Sequence, residues 1–184
     1  MHITLTKLLK ELENKNLTWA IGGSLMLSIR GLKTTPNDID LLVTQKDAQT
    51  ISGILDSMGT RLDPISSHPV FTSSYFAKYE VDGVGIDVMA DFGVKHKAGL
   101  YVCPFATDSV TTIHVVDESP CPLSSIEDWY VLYSLMPNRE GKVELIEHYF
   151  KEHGVSQPLL LERALDQPLP LEIKDKINRL LTDF

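Results

Sequence analysis

The positions of apolar and polar residues along the chain predict an alternation of helices and strands. Apolar residues recur at helical spacing over residues 3–15 and 46–58. Two short apolar runs, 17–21 and 39–44, have the length and composition of buried strands. A short helix is expected between them, from Gly23 to about residue 30, because Gly31 follows as a helix terminator. The first third of the chain therefore predicts helix, strand, short helix, strand, helix.

The pattern then changes to the two-residue period of a β-hairpin. Residues 74–81 and 84–90 flank Asp82-Gly83, a dipeptide typical of two-residue hairpin turns. In the second arm the apolar side chains share one face, and Asp87 lies on the other. A two-residue turn pairs residue 81 with residue 84, so Lys78 is expected opposite Asp87.

The remaining chain predicts a few more strands and then helices. Short strands are expected at 99–103 and 110–116. From Pro122 onward helical spacing prevails, with later helices at 140–153 and about 171–183.

The predicted fold class is α/β (α+β). We expect a short mixed sheet with packed helices over residues 1–121, and a helical C-terminal part over residues 122–184 packed on that core.

The chemistry begins with two carboxylates at the second strand. Asp38 and Asp40 are two residues apart, so their side chains project from the same face. Like charges this close repel one another unless something neutralises them. Mg²⁺ and Mn²⁺ prefer such oxygen ligands, and Mg²⁺ is often bound together with the phosphates of a nucleotide. The spacing predicts a divalent-metal site.

The turn after the first strand is a candidate phosphate site. Gly22 and Gly23 allow the backbone to approach a ligand closely, and Ser24 opens a helix whose first N–H groups are unpaired. Such an end of a helix favours anions. A phosphate site beside a two-carboxylate metal site is the arrangement that nucleotidyl transfer requires.

This stretch resembles the nucleotidyltransferase superfamily motif, in which Gly-Gly or Gly-Ser is followed about a dozen residues later by Asp-apolar-Asp/Glu-apolar. Gly23-Ser24 and Asp38-Ile39-Asp40-Leu41 fit that motif. More narrowly, the stretch is similar to bacterial proteins of abortive-infection and toxin–antitoxin systems.

The resemblance implies further site residues. Arg30, Lys33 and Thr35 fall in the matching loop and would contact the nucleotide, with Lys33 where Arg is usual. Family members carry a third acidic residue on a strand with apolar neighbours, which matches Asp87. Two interpretations stay open for Asp87: third carboxylate of the metal site, or cross-strand partner of Lys78.

Relatives also carry basic residues in the corresponding C-terminal helix pair. Here Arg139 matches, Ser134 stands where a Lys is usual, and Lys142 is displaced by one position. The resemblance therefore leaves the basic contribution of this region open. The triplet Lys95-His96-Lys97 predicts a solvated loop that could also touch phosphates, and Asp91 is a reserve candidate for the third carboxylate.

Composition narrows the functional classes. Lys and Arg number 17 against 25 Asp and Glu, for a net charge of −8, which disfavours broad nucleic-acid binding. No apolar run has transmembrane length, and the start lacks the apolar segment of a signal peptide. Cys103 and Cys121 show no metal-binding spacing. We expect a cytoplasmic protein with buried, reduced thiols.

These observations predict an enzyme that moves an NMP group from an NTP to an acceptor hydroxyl with Mg²⁺ or Mn²⁺. Asp38, Asp40 and Asp87 are the expected catalytic and metal-binding residues. The acceptor stays open between a small molecule such as an aminoglycoside, tRNA and a protein. An alternative is a catalytically degenerate NTP-binding module of a toxin–antitoxin-like system. A partner protein or a homodimer is a further expectation.

Overall fold

The computed structural model describes residues 1–62 and 68–183, so part of the predicted core (63–67) and residue 184 of the predicted helical part lie outside the described residues. The helices are α1 (His2–Leu12), α2 (Gly23–Ile29), α3 (Gln45–Met58), α4 (Ile126–Leu135), α5 (Glu140–His153), α6 (Pro158–Leu165) and α7 (Leu171–Asp183). The strands are β1 (Trp19–Ile21), β2 (Asp38–Val43), β3 (Thr60–Leu62), β4 (Phe71–Thr72), β5 (Tyr75–Val81), β6 (Val84–Ala90), β7 (Gly93–His96), β8 (Gly99–Val102), β9 (Val110–Val116) and β10 (Ser119–Ser124).

A seven-stranded mixed sheet forms the centre of the molecule, with strand order β3-β5-β6-β2-β1-β10-β9. The hairpin arms β5 and β6 are antiparallel, whereas β6 runs parallel to β2 and β10 runs parallel to β1. Three short strands, β4, β7 and β8, make a second sheet. This mixed sheet with helices packed on it confirms the predicted α/β fold class.

One face of the large sheet is a continuous apolar core, because alternate side chains of each strand point to the same side. Ile39 and Leu41 of β2 and Ile86 and Val88 of β6 are fully buried. Helix α3 packs against β5 and β6, and the Tyr79 hydroxyl donates a hydrogen bond to the carbonyl of Ser52 on α3. The opposite face carries Asp38, Asp40 and Asp87 and is less completely covered.

Helix α4 connects the C-terminal helices to the sheet. The Ser125 side chain caps it by accepting a hydrogen bond from the backbone N–H of Asp128 (2.9 Å). Trp129 donates from Nε1 to Ser124 Oγ (2.8 Å), and that hydroxyl donates to the carbonyl of Ile21 at the end of β1 (2.9 Å). α4 is therefore held against the end of β1 from which the Gly-Gly turn departs.

The segment before α4 differs from its prediction. Helical structure was expected from Pro122, but residues 119–124 form β10 between β1 and β9. The two prolines of this strand hide it, since proline disfavours central strands. Both are tolerated because β1 pairs with β10 at Leu123, beyond them. The predicted boundary at residues 121/122 falls inside this strand, and the division of the chain stays a prediction.

One further prediction for local structure, the loop at Lys95-His96-Lys97, was wrong. Lys95 and His96 lie on β7, paired with Leu100 and Gly99 of β8, and only Lys97 follows the strand. Pro158 occupies the first turn of α6, where a missing N–H costs nothing. The expectation of free, buried cysteines is confirmed for Cys103 and Cys121.

Within the residues that the structure describes, none of the helices is long and apolar enough to cross a membrane.

Candidate active site

The pairing of β2 with β6 brings the three predicted carboxylates to one place. In this parallel pair Asp40 is aligned with Asp87, and Asp38 is aligned with Gly85. Aligned residues on neighbouring strands project from the same face, about 4.8 Å apart. Asp87 therefore lies beside Asp40 on the open face of the sheet, while its neighbours Ile86 and Val88 are buried in the core.

Asp87 also has the cross-strand partner that the hairpin register predicts. Lys78 of β5 is aligned with Asp87, and its Nζ lies 3.1 Å from Asp87 Oδ1 and 3.5 Å from Oδ2. The two interpretations of Asp87 are thus compatible in one geometry. Asp87 stands in the middle of a row, with Asp40 on one side and Lys78 on the other.

The environment of this row disfavours the ionised form of the Asp40 carboxylate. Burial, together with the nearby charges of Asp38 and Asp87, raises the pKa of Asp40 to about 7, against the opposing effect of Lys78 and Lys142. Burial also raises the pKa of Asp87, while the hydrogen bond and charge of Lys78 act to lower it. A cation among these carboxylates would relieve both effects.

The Gly-Gly turn fits closely around this row. The N–H of Gly22 donates to the backbone carbonyl of Asp40 (2.8 Å), which fixes the turn to β2. A Cβ on Gly22 would lie 2.4 Å from the indole ring of Trp129. Gly23 has a φ of +60°, and a Cβ there would lie 1.8 Å from Asp40 Oδ2. The lack of side chains at Gly22 and Gly23 thus leaves room for Trp129 and the Asp40 carboxylate. The sequence alone did not predict this role for the two glycines.

Lys142 is the residue at this site that sequence reasoning left without a role. It reaches from α5 to the turn, donates a hydrogen bond from Nζ to Ser24 Oγ (2.5 Å), and lies 5.4 Å from the centre of the Tyr133 ring. Burial lowers the pKa of Lys142, as does the charge of Arg139, while Asp40 and Asp38 raise it. Its one-residue displacement from the family pattern hid it, since only the packing of α5 shows which helix position faces the turn.

The loop residues implied by the resemblance occupy different places. Lys33 and Thr35 are exposed in the loop before β2. Arg30 is partly buried and is turned towards β9 and β10, where Nη2 donates to Thr111 Oγ1 (2.9 Å) and to the carbonyl of Ser124 (3.1 Å). The structure therefore gives Arg30 structural partners and brings neither Lys33 nor Thr35 into contact with the described carboxylates.

The remaining candidates lie apart from the row. Asp91 follows the C-terminal end of β6, about 13 Å along the strand from Asp87 at the rise of an extended chain. It accepts a hydrogen bond from Ser74 Oγ (2.5 Å). Lys97 forms an ion pair with Glu172 of α7 (2.9 Å). Arg139 is exposed and donates to the carbonyl of Asn138 (3.4 Å).

The carboxylate oxygens of this site suit a hard cation that takes only part of its ligands from the protein. Across residues 1–62 and 68–183, no three or more Asp, Glu, His or Cys side chains are placed so that together they could hold a metal ion. Mg²⁺ usually takes only one or two carboxylates and completes its shell with water and substrate phosphates. Asp38 and Asp40 supply such a pair, next to a turn that could hold phosphate.

A comparison with sequence models of protein families decides the identity of the chain. The aminoglycoside-2''-adenylyltransferase family matches residues 4–150, a stretch that runs from α1 into α5 and contains all three aspartates. The chain belongs to this family. As a member of the aminoglycoside-2''-adenylyltransferase family it is a nucleotidyltransferase, which confirms the superfamily predicted from the Gly-Ser and Asp-x-Asp motif. No curated protein sequence matches the chain.

Solved structures share the fold of this family member. A nucleotidyltransferase candidate from Thermotoga maritima has a TM-score of 0.61 at 22% identity, over 81% of this chain and 91% of that one. ANT(2'')-Ia in complex with adenylyl-2''-tobramycin has a TM-score of 0.58 at 14% identity, over 99% and 95%. The lincosamide antibiotic adenylyltransferase LnuA, with bound lincomycin, has a TM-score of 0.51 at 14% identity, over 80% and 96%. At these identities the likeness establishes the fold.

Proposed function

We propose that this chain transfers an NMP group from an NTP to a hydroxyl group of a small molecule, with a divalent cation. The observation that carries the proposal is the register of β2 against β6, which aligns Asp40 with Asp87 beside the turn of Gly22, Gly23 and Ser24. Carboxylates, a tight glycine turn and a lysine then surround one region of the sheet face.

Asp38 and Asp40 would hold the cation. The pKa of about 7 for Asp40 means that its charged form is disfavoured without a counter-charge, and a bound cation would supply that charge. Bound Mg²⁺ or Mn²⁺ would neutralise charge on the α-phosphate and on the leaving pyrophosphate. Asp87 is the proposed third carboxylate of the site.

The triphosphate would lie over the Gly-Gly turn. Ser24 and Lys142 form a hydroxyl–ammonium pair there, and both groups can donate hydrogen bonds to phosphate oxygens. Lys33 and Thr35 are exposed in the loop before β2, where they would be accessible to the nucleotide. Arg30 would act by holding α2 against β9 and β10.

Asp87 would act as the general base. The acceptor oxygen forms a bond to the α-phosphorus, the bond from that phosphorus to pyrophosphate breaks, and the Asp87 carboxylate takes the proton of the acceptor hydroxyl. Lys78 lies 3.1 Å from the same carboxylate and holds it in place. A positioned base of this kind contributes about 10²–10⁴-fold to rate.

The family and two of the structural neighbours support a small-molecule acceptor. The family is described by an aminoglycoside, ANT(2'')-Ia was solved with adenylylated tobramycin, and LnuA was solved with lincomycin. The net charge of −8 gives less support to tRNA, because RNA binding relies on basic surface.

Transfer of radiolabel tests this function. The protein is incubated with Mg²⁺, each common NTP labelled at the α-phosphate, and a panel of aminoglycosides, lincosamides, other hydroxyl compounds and tRNA, with Asp40→Asn as the control variant. Label on a small molecule in the wild type, lost in Asp40→Asn, is the expected result. Label on tRNA would show that the acceptor is tRNA and not a small molecule. Binding of NTP without turnover would support the nucleotide-sensing alternative.

A further inference from the structure

The Ser124 hydroxyl is a buried junction between α4 and the end of β1. Ser124 and Trp129 are both buried, with 0% and 3% of their surface exposed. Trp129 donates a hydrogen bond from Nε1 to Ser124 Oγ (2.8 Å), and Ser124 donates from Oγ to the carbonyl of Ile21 (2.9 Å). Because a serine hydroxyl has one hydrogen to donate, the two bonds run in one direction, from the indole to the strand. Together they form the Trp129–Ser124 relay.

The relay holds the chain at the residue that precedes the Gly-Gly turn. β1 is three residues long and pairs with β10 at one position, Ile21 with Leu123. On the side of β2, the N–H of Gly22 donates to the carbonyl of Asp40 (2.8 Å). The relay adds a hydrogen bond from the side of β10, so the start of the turn is held from both neighbouring strands.

The indole ring also supports the turn directly. A Cβ on Gly22 would lie 2.4 Å from Trp129 Cζ2 and 2.9 Å from Nε1, so this edge of the ring packs against the Gly22 backbone. Trp129 also contacts Tyr133, with ring centres 5.2 Å apart, and the Tyr133 ring centre lies 5.4 Å from Lys142 Nζ. One helix, α4, thus reaches both the backbone of the turn and the lysine that donates to Ser24.

We propose that Trp129 is a positioning residue for nucleotide binding, which together with Ser124 fixes the Gly-Gly turn in the conformation that receives the triphosphate. This inference rests on the proposed function, in which the triphosphate lies over that turn. Two consecutive glycines give a backbone many accessible conformations, and ordering it during binding would cost affinity. A turn that α4 already holds avoids this cost. Trp129 is buried and acts through Gly22 and Ser124, without touching the nucleotide.

Removal of either end of the relay tests the proposal. Trp129→Phe removes the indole N–H and keeps a smaller aromatic ring, whereas Ser124→Ala removes the hydroxyl and leaves the helix unchanged. Tyr130→Phe is the matched control, because the buried Tyr130 hydroxyl of the same helix donates to Glu147 of α5 (3.0 Å). The Kd values of ATP and of inorganic tripolyphosphate are measured by calorimetry with Mg²⁺, at a temperature at which urea unfolding shows each variant to be folded.

Both relay variants should weaken the binding of ATP and of tripolyphosphate by the same factor, about five- to ten-fold, because the turn contacts only the triphosphate. Tyr130→Phe should bind both ligands as the wild type does. The double variant Trp129→Phe/Ser124→Ala should bind no more weakly than the weaker single variant, because the two residues act as one unit. Additive losses, or a loss for ATP that exceeds the loss for tripolyphosphate, would overturn the proposal.

The indole N–H of Trp129 provides a spectroscopic readout of the same coupling. The chain has two tryptophans, so the ¹⁵N-labelled protein shows two indole signals, and the signal that Trp129→Phe loses is that of Trp129. Tripolyphosphate should shift this signal in the wild type, and should shift it less in Ser124→Ala. Trp19, at the start of β1, is the internal reference. An unmoved Trp129 signal in a protein that binds tripolyphosphate would contradict the positioning role.

These outcomes separate the inference from the proposed function. Wild-type affinities in both relay variants, when the wild type binds ATP, would overturn the role of Trp129 and leave the proposed function intact. A wild type that binds neither ATP nor tripolyphosphate would overturn the triphosphate site itself, and the positioning role with it. If Trp129→Phe does not fold, Ser124→Ala decides the outcome, because it leaves the indole and its packing in place.

Discussion

Asp40 is the residue at which the demands of the site meet. Its carboxylate lies against Gly23, next to Asp87 and two residues from Asp38, and burial with these like charges raises its pKa to about 7. The protein without metal therefore keeps a carboxylate that is protonated in part near neutral pH. The ionised Asp40 should therefore lower the free energy of unfolding, and a bound cation should remove this destabilisation.

We expect the contribution of Asp40 to the stability of the metal-free protein to fall as pH rises. Because the pKa of Asp40 is higher in the folded protein than the ordinary value of 3.8, the folded state binds the extra proton between about pH 4 and pH 7. Asp40→Asn should thus be more stable than the wild type at pH 8, with a difference that shrinks as pH falls towards 4. Urea unfolding at several pH values measures this, with exposed Asp175→Asn on α7 as the control. A difference that does not vary with pH would contradict the assignment.

Gly23 is the second residue that carries a specific expectation. Its positive φ and the approach of Asp40 Oδ2 mean that Gly23→Ala adds both backbone strain and a clash with the carboxylate. We expect Mg²⁺ affinity to fall at least ten-fold, because Asp40 must move, together with a loss of about 1 kcal/mol or more in stability. Calorimetric titration and urea unfolding measure the two effects.

Gly154→Ala is the matched control for Gly23→Ala. Gly154 has a φ of +76°, but a Cβ there meets no atom within 4 Å. It should show the strain without any loss of Mg²⁺ affinity. Equal metal affinity in Gly23→Ala and the wild type would show that Asp40 does not need the space that Gly23 leaves.

At the scale of the elements, the periodicity of apolar residues correctly predicted those helices and strands whose local sequence pattern is unambiguous. The hairpin of β5 and β6 and the helix α5 were predicted almost to the residue, because Asp82-Gly83 and regular apolar spacing are local signals. The strand β10 was missed because Pro120 and Pro122 contradict strand propensity, and only its neighbour β1 explains why they are tolerated. Tertiary context decided that segment, and sequence alone could not supply it.

The candidate site divides in the same way. Asp38, Asp40 and the turn are close in sequence, so one strand and one turn were enough to predict them. The pairing of Asp40 with Asp87 and the contact of Lys142 with Ser24 depend on which strands are neighbours and on how α5 is placed. A resemblance that counts positions along the helix missed Lys142 because it cannot register which side of the helix faces the turn.

The contact between α5 and the turn leads to a prediction for Lys142. Lys142→Met removes the ammonium group that donates to Ser24 and would donate to phosphate. We expect NTP affinity to fall by about ten-fold, since a hydrogen bond to a charged group contributes roughly 1.5–3 kcal/mol. Fluorescent-nucleotide titration measures this, with exposed Lys151→Met on the same helix as the control. Equal affinities in the two variants would remove Lys142 from the nucleotide site.

At the scale of the whole molecule, the sheet organises two halves of the site around Asp87. The order β5-β6-β2-β1 places Lys78 on one side, and the glycine turn with its lysine from α5 on the other. α4 ties the C-terminal helices to the same turn through Trp129 and Ser124. Asp87, the proposed base, thus lies between its structural partner Lys78 and the proposed triphosphate site.

The rate of transfer by Asp87→Asn tests this account most directly. Single-turnover experiments with saturating Mg²⁺ and α-labelled NTP, and with an acceptor that the wild type labels, isolate the chemical step from binding. We predict that NTP affinity stays close to that of the wild type while transfer slows by about 10²–10⁴-fold, the range for losing a general base. An Asp87→Asn variant that transfers at the wild-type rate would contradict the account and leave Asp87 only as the structural partner of Lys78.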